Sequence, residues 1–223
     1  MHISDLPERS QDYLKTIWDI TELDGDQPAA LGDIAEKMNQ KTPTASEAMK
    51  RLATRGLVHH EKYAGVTLTE QGKSLAIAMV RRHRLLETFL HDVLGYTWDE
   101  VHEDADLLEH AASDLLIERI DAHLGRPTRD PHGDPIPNAA GLIEVVPHTT
   151  LASVAPGETV TISRVQDIDP DLLRYLAEHN VVPGCRITVE SGPMAGIVNI
   201  SVEATEKSFP LAETQLPLIT VQD

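Results

Sequence analysis

Ionisable side chains crowd residues 101–114 of the sequence, VHEDADLLEHAASD. On a helix, His102, Asp106, Glu109 and His110 recur at i, i+4, i+7 and i+8, and they therefore share one face. A solvated acidic face has no need of two histidines, and a buried face does not tolerate so many carboxylates without a partner. A solvated surface with chance pairings is the simpler alternative, but the pattern is typical of a metal site.

The preceding helical stretch, HRLLE, places His83 and Glu87 at i and i+4, again on one face. The neighbouring arginines could instead make this stretch a salt-bridged surface. Two facing helices would together present three histidines and three carboxylates. Imidazole and oxygen ligands without thiolate suit Mn²⁺, Fe²⁺ or Zn²⁺, and the share of carboxylate favours the harder Mn²⁺.

The first third of the chain is organised as short helices followed by a hairpin. SQDYLKTIWDITEL, LGDIAEKMNQ and TPTASEAMKRLATRGL have helical spacing of apolar residues, and LVHHEKYAGVTLTEQG predicts two short strands around a turn. Thr42 suits an N-cap and Pro43 suits the first helical position of the third helix. This order of elements is that of a winged helix-turn-helix, a DNA-binding fold.

Two long helices are predicted next, GKSLAIAMVRRHRLLETFLHDVLG and WDEVHEDADLLEHAASDLLIERIDAHLG, each ending at a glycine. The apolar face of the first is broader than one partner helix needs. Packing against a second subunit explains this breadth, and a large intramolecular core is the alternative.

Residues 126–148 are rich in proline and glycine and are predicted to be a linker. The pattern then changes to strands, in TLASV, TVTISRV, CRITVES, GIVNISVEA and PLITVQ. One helix interrupts them, in DPDLLRYLAEHN, with Asp169 or Asp171 near its start. Short strands separated by Gly/Pro turns indicate a small barrel. The predicted fold is therefore mainly α with a small β domain.

The net charge of −17 is distributed unevenly, with −3 in residues 1–76, −8 in residues 77–145 and −6 in residues 146–223. The nearly balanced first third is compatible with DNA binding, whereas the acidic remainder would repel phosphate or bind cations. The single cysteine, Cys185, excludes an intramolecular disulfide and a thiolate metal cluster. The chain starts without a signal-peptide pattern and has no apolar run of transmembrane length, so we expect a cytoplasmic protein without membrane contact.

Over essentially its full length, the sequence resembles the DtxR/MntR family of metal-dependent transcriptional repressors. The residues that carry the likeness are QDYLKTIW, TPTASEAMKRL with its wing, MVRRHRLLETFL, WDEVHEDADLLEH and DPHGDPIP. The resemblance implies a DNA-binding domain over residues 1–73, a helical metal-binding and dimerisation domain over residues 74–142, and an SH3-like domain over residues 146–223. It also implies a homodimer that binds double-stranded operator DNA.

The resemblance assigns ligands residue by residue, and implies two metal sites per subunit. The regulatory site would combine Asp12 of the first helix with Asp106, Glu109 and His110. The ancillary site would use His83, Glu87 and His102. In iron-responsive members the C-terminal domain adds two ligands to this site from a segment that aligns poorly with this sequence, where Asp167 and Gln166 are candidates that we do not assign.

Two of these positions distinguish the branches of the family. Where iron-responsive members have methionine and cysteine, this sequence has Asp12 and Asp106, as the manganese branch has carboxylates. Both are hard oxygen donors, so chemistry and resemblance favour Mn²⁺, with Fe²⁺ as the alternative. Short manganese regulators of the family have a second acidic ligand on the first helix, and this sequence has Lys15 at that position. A binuclear metal site like theirs is therefore in doubt for this protein.

The third helix and the wing supply the predicted DNA contacts. Its threonines, its serine and the free amides of its N-terminus could bind phosphates, its basic residues add charge, and its proline could touch a thymine methyl group. The predicted contact residues are Lys41, Thr42, Pro43, Thr44, Ser46, Glu47, Lys50, Arg51 and Lys62.

The function expected from these features is that of a manganese-dependent repressor that controls metal homeostasis through manganese uptake. An iron-responsive regulator of the same family is one alternative. A di-metal carboxylate enzyme is another, but it expects related Glu-x-x-His motifs on several helices, and the sequence has one DLLEH. A regulator that senses something other than metal is the third. We therefore expect a protein that is not an enzyme.

Overall fold

The computed structural model describes the chain except for residues 24–26, 62–63, 145–148, 193, 206 and 223. The described residues form two compact units. The first contains residues 1–83, 108–113 and 137–143, and the second contains residues 84–107, 114–136 and 144–223.

The first unit begins with the predicted winged helix-turn-helix. Its elements are α1 (Glu8–Leu23), α2 (Leu31–Lys37), α3 (Thr42–Thr54), β1 (Val58–Glu61) and β2 (Gly65–Leu68). The strands pair antiparallel with Val58 opposite Leu68, and Ala29 forms an isolated bridge to Val66. Helix α3 buries Ala45 and Met49 in a core that also contains Ile17 of α1. Burial of this apolar face anchors α3 in the core that it shares with α1 and leaves its polar face exposed.

Helix α3 starts one residue earlier than its sequence indicates. Its N-cap is Lys41, without a side-chain cap, and Thr42 is already helical. Pro43 still lies within the first turn, where its missing N–H has no helical partner to lose.

The helical middle of the chain differs from prediction in one respect. The first long helix is α4 (Glu70–Leu94), as expected, but the second is broken into α5 (Val101–Ala111) and α6 (Asp114–His123). The break falls at Ala112 and Ser113, and serine followed by an acidic residue is a typical start for a new helix. Chain segments of both units contribute to α4 and to α5.

The second unit contains a five-stranded antiparallel sheet in the order β6-β5-β4-β3-β7. Its strands are β3 (Thr159–Val165), β4 (Arg186–Val189), β5 (Ile197–Val202), β6 (Lys207–Ala212) and β7 (Ile219–Gln222), and α7 (Pro170–Glu178) follows β3. Helix α7 is capped by Asp169, whose side chain accepts a hydrogen bond from the Leu172 amide. Alternate residues of the strands, such as Ile187, Val189 and Ile200, build the core of this unit.

Two strand predictions were wrong. Residues 151–153 of TLASV form a 3-10 helix, and β6 was not predicted. Strand β6 contains Pro210, which argues against a central strand, and it lies at the edge of the sheet, where proline is tolerated.

The predicted linker contains a buried loop in the second unit. Asp130, His132 and Asp134 are each less than 8% exposed. Gly133 has φ +91°, and a Cβ at this position would lie 2.1 Å from the carbonyl oxygen of Ser163. Only glycine permits this conformation and this approach to β3. The loop is therefore a fixed part of the second unit.

The fold class predicted from the sequence, mainly α with a small β domain, is confirmed. The domain boundaries at 1–73, 74–142 and 146–223 stay predictions. Among the described residues, no helix is both long and apolar enough to cross a membrane.

Candidate metal centres

The first unit brings together Asp12 of α1 with Glu109 and His110 of the last turn of α5. The Nε2 atom of His110 lies 2.9 Å from an Asp12 oxygen and 3.9 Å from a Glu109 oxygen. One candidate ligand atom from each of the three residues lies within 4.8 Å of the others. We call Asp12, Glu109 and His110 the first cluster.

Gln11 fixes the orientation of the His110 ring. Its side-chain NH₂ donates to the carbonyl oxygen of Leu6 at 2.8 Å, so its amide oxygen faces His110 Nδ1 at 3.0 Å. A carbonyl oxygen can only accept, so Nδ1 of His110 carries the hydrogen. In the neutral ring Nε2 is then an acceptor, 2.9 Å from the carboxylate of Asp12. Two acceptors at this distance require a proton or a cation between them, as in a histidine–metal site oriented by a second hydrogen bond.

The pKa values of the two carboxylates in the first cluster are shifted in opposite directions. Burial raises the pKa of Asp12 above its ordinary value, against the charge of His110. Burial would also raise the pKa of Glu109, but the hydrogen bond from His83 and the charges of His83 and Lys15 outweigh it and lower the pKa. Glu109 is therefore an ionised buried carboxylate, while Asp12 is short of positive charge.

The second unit brings together Glu87 of α4, His102 of α5 and Asp167, which precedes α7. His102 Nδ1 lies 2.8 Å from an Asp167 oxygen and 3.3 Å from a Glu87 oxygen. Its other nitrogen, Nε2, lies 3.5 Å from Asp106. The side chain of Glu87 is 1% exposed.

The buried loop adds Asp130 and His132 to the same place. His132 Nδ1 is 3.9 Å from a Glu87 oxygen, and one ligand atom each of Glu87, Asp130 and His132 lies within 4.8 Å of the others. We call Glu87, His102, Asp130, His132 and Asp167 the second cluster.

His132 presents an unused ligand atom in the second cluster. Its Nε2 lies 2.6 Å from the carbonyl oxygen of Trp98 and must donate to it. In the neutral ring Nδ1 is then a bare acceptor, buried and without a hydrogen-bond partner among the described residues. An unsatisfied buried nitrogen beside two buried carboxylates fits a divalent cation.

Asp130 is held in an environment unfavourable to its charge. Its carboxylate accepts hydrogen bonds from the amides of His132 at 2.9 Å and Asp134 at 2.8 Å. Burial, with the neighbouring charges of Asp134 and Glu87, nevertheless raises its pKa well above the ordinary value. A bound divalent cation would remove this penalty.

The predicted ligands thus divide between the units. Asp12, Glu109 and His110 lie together in the first unit, and Glu87, His102 and Asp106 lie in the second. His83 stands one helical turn before Glu87 on α4, but in the first unit, where its Nδ1 is 2.7 Å from Glu109.

Sequence reasoning missed Asp130 and His132, because residues 126–148 were interpreted only as a linker. The signal available was DPHGD, two acids and a histidine within five residues. The sequence does not distinguish Asp167 from Gln166 as a candidate ligand, and the structure places Asp167 beside His102.

The predicted DNA contacts lie on the exposed side of α3. All of those on α3 and its N-cap are exposed except Ser46, which is half-buried. Lys50 pairs with Glu47 at 3.3 Å on this face. Lys62 lies outside the described residues.

A winged helix and a cluster of histidine and carboxylates in the same unit are the features expected of a metal-dependent DNA-binding protein. Three family models match the chain. They are the iron dependent repressor N-terminal DNA binding domain over residues 5–66, the iron dependent repressor metal binding and dimerisation domain over residues 69–138, and the FeoA domain over residues 149–222.

Individual relatives agree with these models. The chain is 36% identical to the iron-dependent repressor IdeR of Mycobacterium leprae, over 89% of this chain and 90% of that protein. It is 30% identical to the diphtheria toxin repressor of Corynebacterium diphtheriae, over 84% and 86% of the two chains. A solved structure described as a manganese-dependent transcriptional repressor complex with manganese has a TM-score of 0.87 and 42% identity, covering 95% of this chain and 98% of that one.

The chain therefore belongs to the DtxR/IdeR family of iron- and manganese-dependent repressors. These proteins are DNA-binding transcriptional repressors that depend on a divalent metal, and they are not enzymes. The family predicted from the sequence is confirmed.

Replacing Gln11 by alanine should weaken Mn²⁺ binding at the first cluster by roughly 10- to 100-fold, because His110 loses the acceptor that holds its tautomer. Gln11→Glu keeps an acceptor for Nδ1, although it loses the hydrogen bond to the Leu6 carbonyl oxygen, and it should retain more of the affinity than the alanine variant. Isothermal titration gives the affinities, and the ¹⁵N shifts of the His110 ring report which nitrogen carries the hydrogen. An alanine variant with wild-type affinity and an unchanged tautomer would contradict the assignment.

Two buried aspartates of the loop should respond oppositely to replacement by asparagine. Asp130→Asn should raise the free energy of unfolding of the metal-free protein at pH 7 by about 1–2 kcal/mol, because it removes a carboxyl whose pKa is raised. Folding favours the protonated form of Asp130, so wild-type stability is lost as pH rises from the ordinary aspartate range through the raised pKa. The advantage of the variant should therefore grow with pH over that interval.

Asp134→Asn is the matched control. Asp134 lies 2.6 Å from Arg164 Nη2 and 3.4 Å from Arg84 Nη2, both buried or nearly so. Removing its charge should cost about 3–5 kcal/mol. Urea unfolding in chelator measures both variants, and equal destabilisation by the two would refute the account of Asp130.

Proposed function

We propose that this protein is a manganese-activated repressor that binds operator DNA as a homodimer and controls manganese uptake. The observation that carries the proposal is the first cluster, in which a carboxylate of α1, within the winged helix, meets two donors of α5. In this proposal the protein binds its operator in the cytoplasm.

The donor chemistry supports Mn²⁺ as the activating ion. The two clusters offer only carboxylate oxygens and imidazole nitrogens, and the positions where the resemblance expects methionine and cysteine in iron-responsive members hold Asp12 and Asp106. Hard oxygen donors suit Mn²⁺ better than soft sulfur donors do. The structural relative with manganese supports the same choice, whereas the curated iron repressors keep Fe²⁺ as the second candidate.

We assign the regulatory role to the first cluster and an ancillary role to the second cluster. A bound divalent ion supplies positive charge that two carboxylates can share. Asp12 then anchors α1, and through the common core it anchors α3, to the end of α5. In the metal-free protein, Asp12 lacks this charge and its burial is unfavourable. Metal therefore favours the conformation in which Asp12 and His110 meet, which is the differential affinity that allostery requires.

The exposed N-terminus of α3 is the proposed DNA-reading surface. Lys41, Thr42, Pro43 and Thr44 are exposed there, and Lys50 and Arg51 extend the surface along the helix. Hydroxyls, free amides and basic side chains suit phosphate contacts, and Pro43 suits a thymine methyl group. One such helix reads few bases, so two copies on adjacent half-sites are required for a specific operator.

Exposed leucines on the helical segment support self-association. Leu107, Leu108, Leu115 and Leu116 of α5 and α6 are 74%, 44%, 64% and 47% exposed. Exposed leucines are typical of a protein interface, and the matching family model is named for dimerisation. We infer that these leucines are covered by a second copy of this chain.

Asp12→Ala should abolish the stimulation of DNA binding by Mn²⁺ while changing the free energy of unfolding in chelator by less than about 1 kcal/mol. The test uses fluorescence anisotropy on fragments of the host genome, first in chelator and then with Mn²⁺, Fe²⁺ or Zn²⁺ added. The wild type should retain specific fragments with Mn²⁺ and release them in chelator. Normal metal-dependent binding by Asp12→Ala would overturn the mechanism.

Asp19→Ala serves as the matched control, since Asp19 lies two turns further along α1 and belongs to neither cluster. It should behave as the wild type. Stronger activation of the wild type by Fe²⁺ than by Mn²⁺ would favour the iron-responsive alternative. Equal DNA binding with and without metal would leave a DNA-binding protein that senses something else.

Leu107→Glu should convert the dimer into a monomer and remove operator binding, because a charge cannot be buried in an apolar interface without a partner. Light scattering after size exclusion measures the mass. Leu142→Glu, at a leucine that is 70% exposed outside these helices, should remain dimeric. A dimeric Leu107→Glu variant would place the interface elsewhere.

A further inference from the structure

Helix α3 carries one acidic side chain on the face that we propose reads DNA. Within Thr42–Thr54, all of which the structure describes, Glu47 is the single carboxylate. Its side chain is 58% exposed, and the exposed side chains one turn further along, Lys50 and Arg51, are basic. DNA carries a negative charge at every phosphate, so a carboxylate on this face opposes binding unless it has a task of its own.

The place of Glu47 along α3 is informative. The first turn of the helix, where an acid would stabilise the helix dipole, contains no acidic residue among its described positions. Glu47 lies in the second turn, four residues after Pro43 and four before Arg51, and therefore at the centre of the exposed face. The start of a recognition helix binds phosphate through its free amides, and the side chains of its N-terminal half contact base edges in the major groove. The carboxylate is thus absent where phosphates would lie and present where a base edge would lie.

An exposed ion pair with Lys50 is the simpler explanation of Glu47. The Nζ atom of Lys50 lies 3.3 Å from a Glu47 oxygen, and the two side chains are 65% and 58% exposed. Such a pair contributes little to stability, because water competes for both charges. The pair therefore gives no strong reason to keep an acid on this face. It does mean that Glu47 is neutralised in the free protein and that separating the two side chains costs little.

The hydrogen-bonding chemistry of a carboxylate limits what Glu47 can contact in the major groove. An ionised carboxylate accepts hydrogen bonds and cannot donate them. The donors in the major groove are the amino groups of cytosine and adenine, whereas guanine and thymine present acceptors there. Adenine also presents its N7 acceptor beside the amino group, and this atom repels a carboxylate. Cytosine is therefore the base that suits Glu47 best.

We propose that Glu47 selects a cytosine in each half-site of the operator by accepting a hydrogen bond from the N4 amino group of that base. This inference rests on the proposed function, in which α3 reads DNA. On binding, Lys50 leaves the pair and contacts a neighbouring phosphate. Where the cytosine is missing, the carboxylate has no donor and repels the surrounding phosphates. Glu47 thus contributes to the choice of sequence, while the basic side chains contribute to affinity for DNA in general.

The experiment first finds the preferred sequence and then changes one base pair in it. The whole chain, with Mn²⁺, selects duplexes from a randomised DNA library, and sequencing gives the preferred base at each position. The wild type should enrich a site that requires a cytosine in each half-site. Replacing that C·G pair by T·A puts the O4 acceptor of thymine in place of the amino donor. This replacement should weaken binding by roughly 10- to 100-fold in fluorescence anisotropy.

Two substitutions of Glu47 should change the preference in different ways. Glu47→Ala should bind the C·G and T·A versions of the site nearly equally, because the selecting acceptor is removed. It should also bind unrelated DNA more tightly than the wild type does, because a repelling charge is removed. Glu47→Gln presents an amide that can pair with N6 and N7 of adenine, so the base enriched at this position should change from cytosine towards adenine.

Two other variants serve as controls. Glu36→Gln removes the same charge from an exposed position of α2 in the same unit, and it should leave the preferred base unchanged at every position. Lys50→Ala should weaken binding to all sequences to a similar degree and reduce the salt dependence by about one phosphate contact. Glu36, Glu47 and Lys50 are all exposed, so the variants should fold, and thermal unfolding checks this.

Two failures are distinguishable. If the wild type enriches no sequence with Mn²⁺, the proposed function fails, and the role of Glu47 fails with it. If the wild type selects an operator only with Mn²⁺, but Glu47→Ala and Glu47→Gln keep its preference at every position, the role of Glu47 alone is overturned. Substitutions of Glu47 that change the preference at a base pair without cytosine would overturn it as well.

Discussion

A carboxylate buried near the end of α5 requires positive charge, and much of the first unit is arranged to provide it. Glu109 is 1% exposed, and an isolated charge at such a depth is costly. Helix α1 supplies Lys15, α4 supplies His83, and Arg82 of α4 donates to the main-chain oxygen of Glu109. The three helices are therefore tied at one acidic side chain, and the winged helix is connected to the helical segment through it.

Asp12 and Asp130 have less neighbouring positive charge than Glu109 relative to the cost of their burial. This difference gives a physical reason for the protein to depend on a metal ion. Burial raises the pKa of Asp12 and of Asp130, so both carboxyls disfavour the metal-free folded state when ionised. His132 adds a buried ring nitrogen without a hydrogen-bond partner among the described residues. A protein that only maximised stability would replace such groups. Their cost is offset when a divalent cation binds, and the size of that offset sets how far metal can shift a conformational equilibrium.

The sequence predicted the parts of the structure that follow from periodicity. The shared face of His102, Asp106, Glu109 and His110 is a direct consequence of helical spacing, as are the apolar faces of α1 and α3. Asp130 and His132 escaped prediction because burial of a Pro/Gly-rich loop depends on tertiary packing, which has no period. The break between α5 and α6 and the edge strand β6 were missed because local signals at Ser113 and Pro210 compete with the surrounding pattern. Lys15 and Glu109 are 94 positions apart in the sequence, so their contact could not be predicted from local patterns. The sequence shows only that Lys15 replaces an acid found in short manganese regulators.

The two clusters draw on different parts of the chain, and they would therefore act on different parts of the protein. The first joins α1 of the winged helix to the last turn of α5. The second joins α4 and the start of α5 to the buried loop and to Asp167, which lies within the residues matched by the FeoA domain model. An ion at the first cluster would act on the position of α3, the proposed DNA-reading helix, because α1 and α3 share a core. An ion at the second would act mainly on the stability of the second unit, because all of its donors belong there. Helix α5 contributes donors to both clusters, with His102 near its start and Glu109 and His110 at its end.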